Sequence, residues 1–330
     1  MKKILAIAVA TAISAPAMAD LTLGGTYAFG YTNVDYDTPT TTYAIGSNTA
    51  GTAPTYTGTS NDTGSGFGTD TAAISLAAEH EFNGITVKGG ISAGGLTRGS
   101  SAVTGENAFM SLSGDFGTVY MGEIEAGSGI RALGTAGAPV NNMEGEILGA
   151  AANIATIKYT APAMGPVTLS VGSAQATGMG KGDDESSQSI AADVSVGMIK
   201  AKADYTTWQD DSSTDDRVRV SAMATFGMVS VGAGYENRNY VSNVVGSKER
   251  NQATMGVKVA LSDATSIGAA YAKTETDAAN SERNGYTVGF SHSLSSNLTL
   301  SGNYSDWEAQ TSATTQNDAH KTNLVLSYSF

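Results

Sequence analysis

Ile199-Lys200-Ala201-Lys202-Ala203-Asp204-Tyr205 decides the fold. Every odd position is apolar and every even position is charged. A helix turns about 100° per residue and would scatter the charges round its surface. A strand sends successive side chains to opposite faces, so this stretch has one greasy face and one charged face. The charges sit in the middle of the strand, where a water-soluble sheet would bury one face and wet the other.

The pattern recurs along the chain. The first segment sets Leu21, Leu23, Tyr27, Phe29 and Tyr31 against Thr22, Gly24, Thr26 and Ala28. Later ones set Ile85, Val87 and Ile91 against Thr86, Lys88 and Ser92, and Val218 and Val220 against Arg219 and Ser221. The last carries Leu324, Leu326, Tyr328 and Phe330 on one side. Sixteen such segments can be read between Leu21 and Phe330. Short turns, such as Asn83-Gly84, Phe226-Gly227 and Ser295-Ser296-Asn297, alternate with long connections. The long ones fall near 33–69, 97–105, 123–153, 178–187, 210–216, 237–250, 276–284 and 309–320, and are rich in Ser, Thr, Asp and Asn.

A water-soluble sandwich also alternates, with its apolar face inside. Charges in mid-strand along the whole chain (Lys88, Asp193, Asp204, Arg219, Lys258), an even strand count and the short/long rhythm favour the inverse arrangement. That arrangement is a transmembrane antiparallel β-barrel of 16 strands, apolar outside and wet within. Tyr31, Tyr159, Phe226, Tyr235, Tyr271, Tyr304, Tyr328 and Phe330 fall near segment ends on the outward parity, as interfacial girdles do. Trp208 and Trp307 have inward parity.

The first nineteen residues form a separate unit. Lys2-Lys3, the apolar run Ile4 to Ile13 and Ala17-Met18-Ala19 make a secretory signal, expected to be removed. The remainder, 20–330, reads as one barrel domain. After residue 20 no uncharged apolar run is long enough for a membrane helix. Taking Lys2 and Lys3 from 18 basic residues leaves 16 against 31 acidic, a net charge of −15. Nucleic acid as a partner is excluded by that balance. There is no cysteine, so an exported chain cannot rely on disulfides.

One connection differs from the others. Residues 123–153 carry Ile124, Ile130, Leu133, Val140, Met143, Ile147 and Leu148 beside Glu123, Glu125, Glu144, Glu146 and a single Arg131. A long connection inside a compact domain is usually functional or disordered. With this much to pack, the expectation is an inward-folded loop that rests on a wall and shows carboxylates to a water-filled space.

Three stretches resemble the general diffusion porins of Gram-negative bacterial outer membranes. They are Leu112-Ser-Gly-Asp-Phe-Gly-Thr-Val-Tyr-Met-Gly-Glu123, Ile157-Lys-Tyr-Thr-Ala-Pro162 with Gly165 just after, and Leu324-Val-Leu-Ser-Tyr-Ser-Phe330. The resemblance spans essentially the mature chain. It implies a homotrimer in the outer membrane among lipid and lipopolysaccharide, with the third long loop, 123–153, forming a constriction. It also implies that Tyr328 and Phe330 end an assembly signal read by the barrel-assembly machinery. The family sets loop carboxylates against a basic wall. Here the wall candidates are Lys88, Arg98 and Lys158, fewer than the arginine clusters of many members.

The expected function is passive diffusion of small hydrophilic solutes and ions, with cations favoured by the loop glutamates. A substrate-selective channel is the alternative, and it would need a binding track along the inner face. An enzyme would need a nucleophile beside a base; only His80, His292 and His320 are available, and the first two sit beside short turns on outward parity. No cofactor is expected. Solvated faces or loosely held Ca or Mg are the two readings of the acidic patches Asp183-Asp184-Glu185, Asp210-Asp211 and Asp215-Asp216. Aliphatic outward residues on strands two to four, Ile74 and Ile91 among them, are expected to pack on a neighbouring subunit, and the outwardly aromatic last four strands to meet lipid.

Overall fold

In the computed structural model the two faces of each alternating segment meet different surroundings. The structure describes residues 20–36, 43–44, 55–56, 64–96, 103–126, 128–140, 143, 147–148, 152–176, 186–209, 213–242, 246–277, 281–312 and 315–330. The secretory segment 1–19 lies outside them.

Sixteen strands close into one antiparallel barrel. The first eight are β1 (Asp20–Tyr36), β2 (Gly64–Phe82), β3 (Ile85–Gly94), β4 (Thr104–Gly114), β5 (Gly117–Ala126), β6 (Ala152–Thr160), β7 (Val167–Ala176) and β8 (Ser186–Val196). The second eight are β9 (Ile199–Gln209), β10 (Ser213–Phe226), β11 (Val229–Ser242), β12 (Gly246–Ala260), β13 (Thr265–Thr276), β14 (Ser281–Ser293), β15 (Leu298–Ser312) and β16 (Thr315–Ser329). Each pairs with its chain neighbours, and β1 pairs with β16 to leave no open edge. The amide and carbonyl of Phe330 bond Gly25 across that seam. A two-residue ladder, Tyr43–Ala44 with Thr55–Tyr56, stands apart from the barrel.

One end of the barrel carries the tight turns. At Asn83-Gly84 both residues have positive φ, 51° and 76°, the conformation a two-residue hairpin requires. The other end carries the long connections, several of them shorter than the sequence suggests. β11 and β12 run on to Ser242 and from Gly246, through most of 237–250, and β15 and β16 take up most of 309–320. Past the apolar band both faces of a strand are wet. Alternation therefore fades while the hydrogen-bonded ladder continues.

Polarity is inverted relative to a water-soluble protein. Outward Ile190, Met255 and Val196 are more than half exposed, whereas inward Thr287 and Ser305 are buried and hydrogen-bonded to each other at 2.9 Å. So large an exposed apolar band needs lipid around it. Near the loop end the band stops at outward Tyr31, Tyr205, Tyr235, Tyr271, Tyr286 and Tyr304. The next outward residues include Asn33, Asn237, Lys273, Asn284 and Asp306, so the hydrocarbon boundary is drawn within about one residue pair. Near the turn end Phe82, Phe226, Tyr328 and Phe330 take the corresponding place.

Candidate functional site

Between β5 and β6, residues 128–140, 143, 147 and 148 lie inside the barrel against its wall. Apolar Ile130, Val140, Met143, Ile147 and Leu148 among them are all almost fully buried. Four of them pack with inward Ala270 and Ala272 of β13, Trp307 and Ala309 of β15, and Ala319 of β16. A single helical turn, α1 (Arg131–Gly134), lies against β10 to β12. Thr254 Oγ1 donates to the Ile130 carbonyl at 3.4 Å and Thr274 Oγ1 to the Ile147 carbonyl at 2.8 Å, so wall hydroxyls satisfy loop carbonyls that water cannot reach.

The wall beneath this segment is a furrow of glycines. A Cβ on Gly232 would stand 1.9 Å from the Leu133 carbonyl oxygen, one on Gly256 2.7 Å from Thr135 Cα, and one on Gly289 2.1 Å from the Pro139 carbonyl oxygen. Only the missing side chains let the loop backbone lie so close to the sheet.

Several expected site residues take other places. Glu123 and Glu125 belong to β5, opposite Ala155 and Asn153 in an unbroken ladder. They keep the parity of Val119 and Met121 and face outward, not into the barrel. The strand runs to Ala126, so its two-residue period still governs positions whose polarity alone suggests loop. Arg131 is half-buried on α1 and donates Nη2 to the Val140 carbonyl at 3.1 Å, bracing the loop against itself. Glu144, Glu146 and Arg98 lie outside the described residues. Lys88 faces inward but is paired with Glu79 at 2.8 Å, close to the Asn83-Gly84 turn and far from α1. Lys158 faces inward opposite Tyr120 and is exposed. Tyr328 and Phe330 stack at 6.1 Å on the outer surface.

The acidic patches also divide. Asp183-Asp184-Glu185 and Asp210-Asp211 are outside the described residues. Asp215 points inward and binds Arg238 at 3.0 Å, while Asp216 points outward and accepts from Asn239 at 3.0 Å. These two are therefore not one external patch. No three His, Asp or Glu side chains converge as a metal site among the described residues. His292 Nδ1 lies 2.8 Å from Thr265 Oγ1 beside a tight turn.

The main charged feature of the interior is only partly legible in the sequence, which shows Asp204 and Arg219 on the wet face but not the arginines that join them. On β9 to β12, inward Asp204, Arg217, Arg219, Glu236, Arg238 and Arg250 form one network. Arg219 Nε grips both Asp204 oxygens at 2.8 and 3.0 Å, and Arg250 binds Glu236 at 2.8 Å. Arg217 and Arg238 lie over Trp208, 4.8 and 4.4 Å from its ring centre. Loop residue Gly129 rests against the Arg219 guanidinium. Arg238 and Arg250 were hidden because 237–250 reads as polar loop; the outward or inward parity of a residue is legible only once its strand is known.

Charge is sorted by face. Inward basic residues are Lys88, Lys158, Lys200, Lys202, Arg217, Arg219, Arg238, Arg250, Lys258, Arg283 and Lys321. Among the described residues inward acids are fewer: Asp20, Glu79, Glu81, Glu106, Asp193, Asp204, Asp215 and Glu236. Outward acids crowd the loop end, with Asp35, Glu123, Glu125, Asp216, Glu249, Glu275, Glu282, Asp306 and Glu308 against Lys273. Lys273 is clamped by Glu275 at 2.6 Å and Glu282 at 3.0 Å.

The barrel is similar to several solved structures. One is an anion-selective porin from Comamonas acidovorans, 16% identical, covering 94% of this chain and 100% of that one with a TM-score of 0.70. Another is OmpT in trimer form, an outer membrane protein of Vibrio cholerae, 11% identical, with coverages of 95% and 100% and a TM-score of 0.70. A third is the outer membrane channel DcaP of Acinetobacter baumannii, 12% identical, with coverages of 96% and 99% and a TM-score of 0.69. Among curated proteins none matches the sequence. Identities this low speak for the fold alone. Residues 6–322, however, match the family model described as Gram-negative porin. An inverted barrel, a loop laid along its inner wall and a family match over nearly the whole length lead to one conclusion: this chain belongs to the Gram-negative porins and forms an outer-membrane channel.

Proposed function

We propose that the channel is water-filled, passes small hydrophilic solutes by diffusion and prefers anions. The observation that carries the preference is the sorting of charge: among the described residues the inward face carries more basic than acidic side chains, while the outward loop-end charges are nearly all acidic. Fixed charge in a narrow passage with low-dielectric walls concentrates ions of the opposite sign. The cation preference expected from the sequence rested on four loop glutamates, and two of them, Glu123 and Glu125, face away from the passage. The name of the Comamonas acidovorans relative points the same way.

The described residues 128–140, 143, 147 and 148 narrow the passage in this reading, since they pack against the wall from β10 to β16. The chain is exported by its leader, inserted through its C-terminal strand and assembled as a homotrimer. Support for the trimer comes from the outer surface: aliphatic Ile74, Ile91 and Met110 face outward on β2 to β4, while the tyrosine belt lies on β1 and β9 to β15.

Reversal potential in a planar bilayer across a salt gradient tests the preference. Anion selectivity is expected, fading as ionic strength rises and the screening length falls to about 3 Å at 1 M. A cation-selective reversal potential at low salt refutes it.

A further inference from the structure

We propose that Arg217, Arg238 and Arg250 form a docking row for small, multiply charged oxyanions of the phosphate class, entered from the loop end. The inference rests on the diffusion-channel reading and adds a binding step to it. Arg217 stands directly opposite Arg238 across β10 and β11, and Arg238 directly opposite Arg250 across β11 and β12. Like charges facing each other across an antiparallel pair destabilise it. Three in a line is an arrangement that a purely structural network would avoid.

Among the described residues, the acids beside the row are fewer than its guanidinium groups. Asp215 serves Arg238, and Glu236 serves both Arg250 at 2.8 Å and Arg217 at 3.9 Å. Asp204, the next carboxylate, is held at both oxygens by Arg219. Among the described residues, the three row guanidinium groups thus share two carboxylates. The Nε atoms of Arg217 and Arg250 are buried without an acceptor. The side chains keep 18 to 23% of their surface open.

Geometry selects the ligand. A planar guanidinium fork suits an oxyanion, which accepts two parallel hydrogen bonds, better than it suits a chloride. Trp208 lies beneath two of the three groups and holds them flat. Adjacent strands are about 4.7–4.9 Å apart, so the row spans about 10 Å. A linked pair of phosphates covers that length. Arg219, with Gly129 of the loop against it, lies one layer nearer the turn end. An anion on the row therefore sits at the lip of the narrowed passage and interrupts ion flow while bound.

The test is single-channel recording on the full-length protein with inorganic pyrophosphate added on the loop-end side. Wild type is expected to show concentration-dependent current interruptions. Arg238→Gln and Arg250→Gln should each weaken block about tenfold or more, as loss of a charge-assisted hydrogen bond does. Asp215→Asn releases Arg238 from its carboxylate and should strengthen block, a gain that a scaffolding role does not produce. Heat-modifiable migration on gels identifies the folded variants. If Arg238→Gln does not fold, Asp215→Asn alone decides. An anion-preferring wild-type channel that pyrophosphate never interrupts overturns the row and leaves the diffusion reading standing. Weaker or unchanged block in folded Asp215→Asn also overturns it. Failure of the wild type to conduct removes both.

Discussion

Alanine at Gly232 and Gly256 together should lift the loop off its wall. The added Cβ at Gly232 would stand 1.9 Å from the Leu133 carbonyl oxygen, where ordinary contact begins at 3.4 Å, so the loop must retreat by about 3.4 − 1.9 = 1.5 Å. At Gly256 the new atom meets three backbone atoms of Thr135 at 2.7 Å, and backbone cannot swing aside as a long side chain can. The sheet cannot yield outward, because both positions lie within closed ladders. The loop moves toward the lumen and the passage narrows. Overpacking of this kind costs about 1–3 kcal/mol per site, small enough for the barrel to survive. The assay is single-channel conductance, with heat-modifiable migration as the check on folding. Conductance should fall in the double variant and stay at the wild-type level in Gly172→Ala, a wall position on β7 whose added Cβ would have its nearest neighbours, Ile157, Ser189 and Lys158, at 3.2 Å or more. A folded double variant with wild-type conductance would refute the idea that glycine at these positions sets the width of the channel.

Two further outcomes are expected. Leu148→Ala removes a fully buried side chain from the cluster around Trp307 and should loosen the loop by about 2–5 kcal/mol; open-channel current noise should rise while the barrel keeps its thermal transition, and a quiet channel would count against the cluster as an anchor. Ile91→Cys, in a chain with no other cysteine, places a thiol on an exposed aliphatic surface of β3, and a bifunctional maleimide should give linked subunits on denaturing gels; monomer alone would place the subunit contact elsewhere.

Charge shows how parity and register divide the work of assigning a site. Inward parity of Asp204, Arg219 and Lys258 is legible from their apolar neighbours, one residue away on either side. Nothing that local tells which wall residues meet. Arg238 and Arg250 stand opposite each other because the β11–β12 ladder continues well past the apolar band. There the membrane no longer imposes two unlike faces, and the pattern that announces a strand disappears. Glu123 and Glu125 fail for the mirror-image reason: their polarity suggests loop, but the ladder to β6 still holds them.

By itself the sequence determined the inverted barrel, its sixteen strands, the tight turns and the apolar residues with which the long loop packs. Each of these follows from side chains a few residues apart, and a bilayer accepts only one way of satisfying the backbone between them. Only the tertiary structure decided where the loop lands and which charges share the lumen. The Thr254 hydroxyl and the Ile130 carbonyl that it caps are 124 residues apart, and the arginine row is assembled from three strands. Such contacts depend on register and closure, which are properties of the whole sheet and of no single segment.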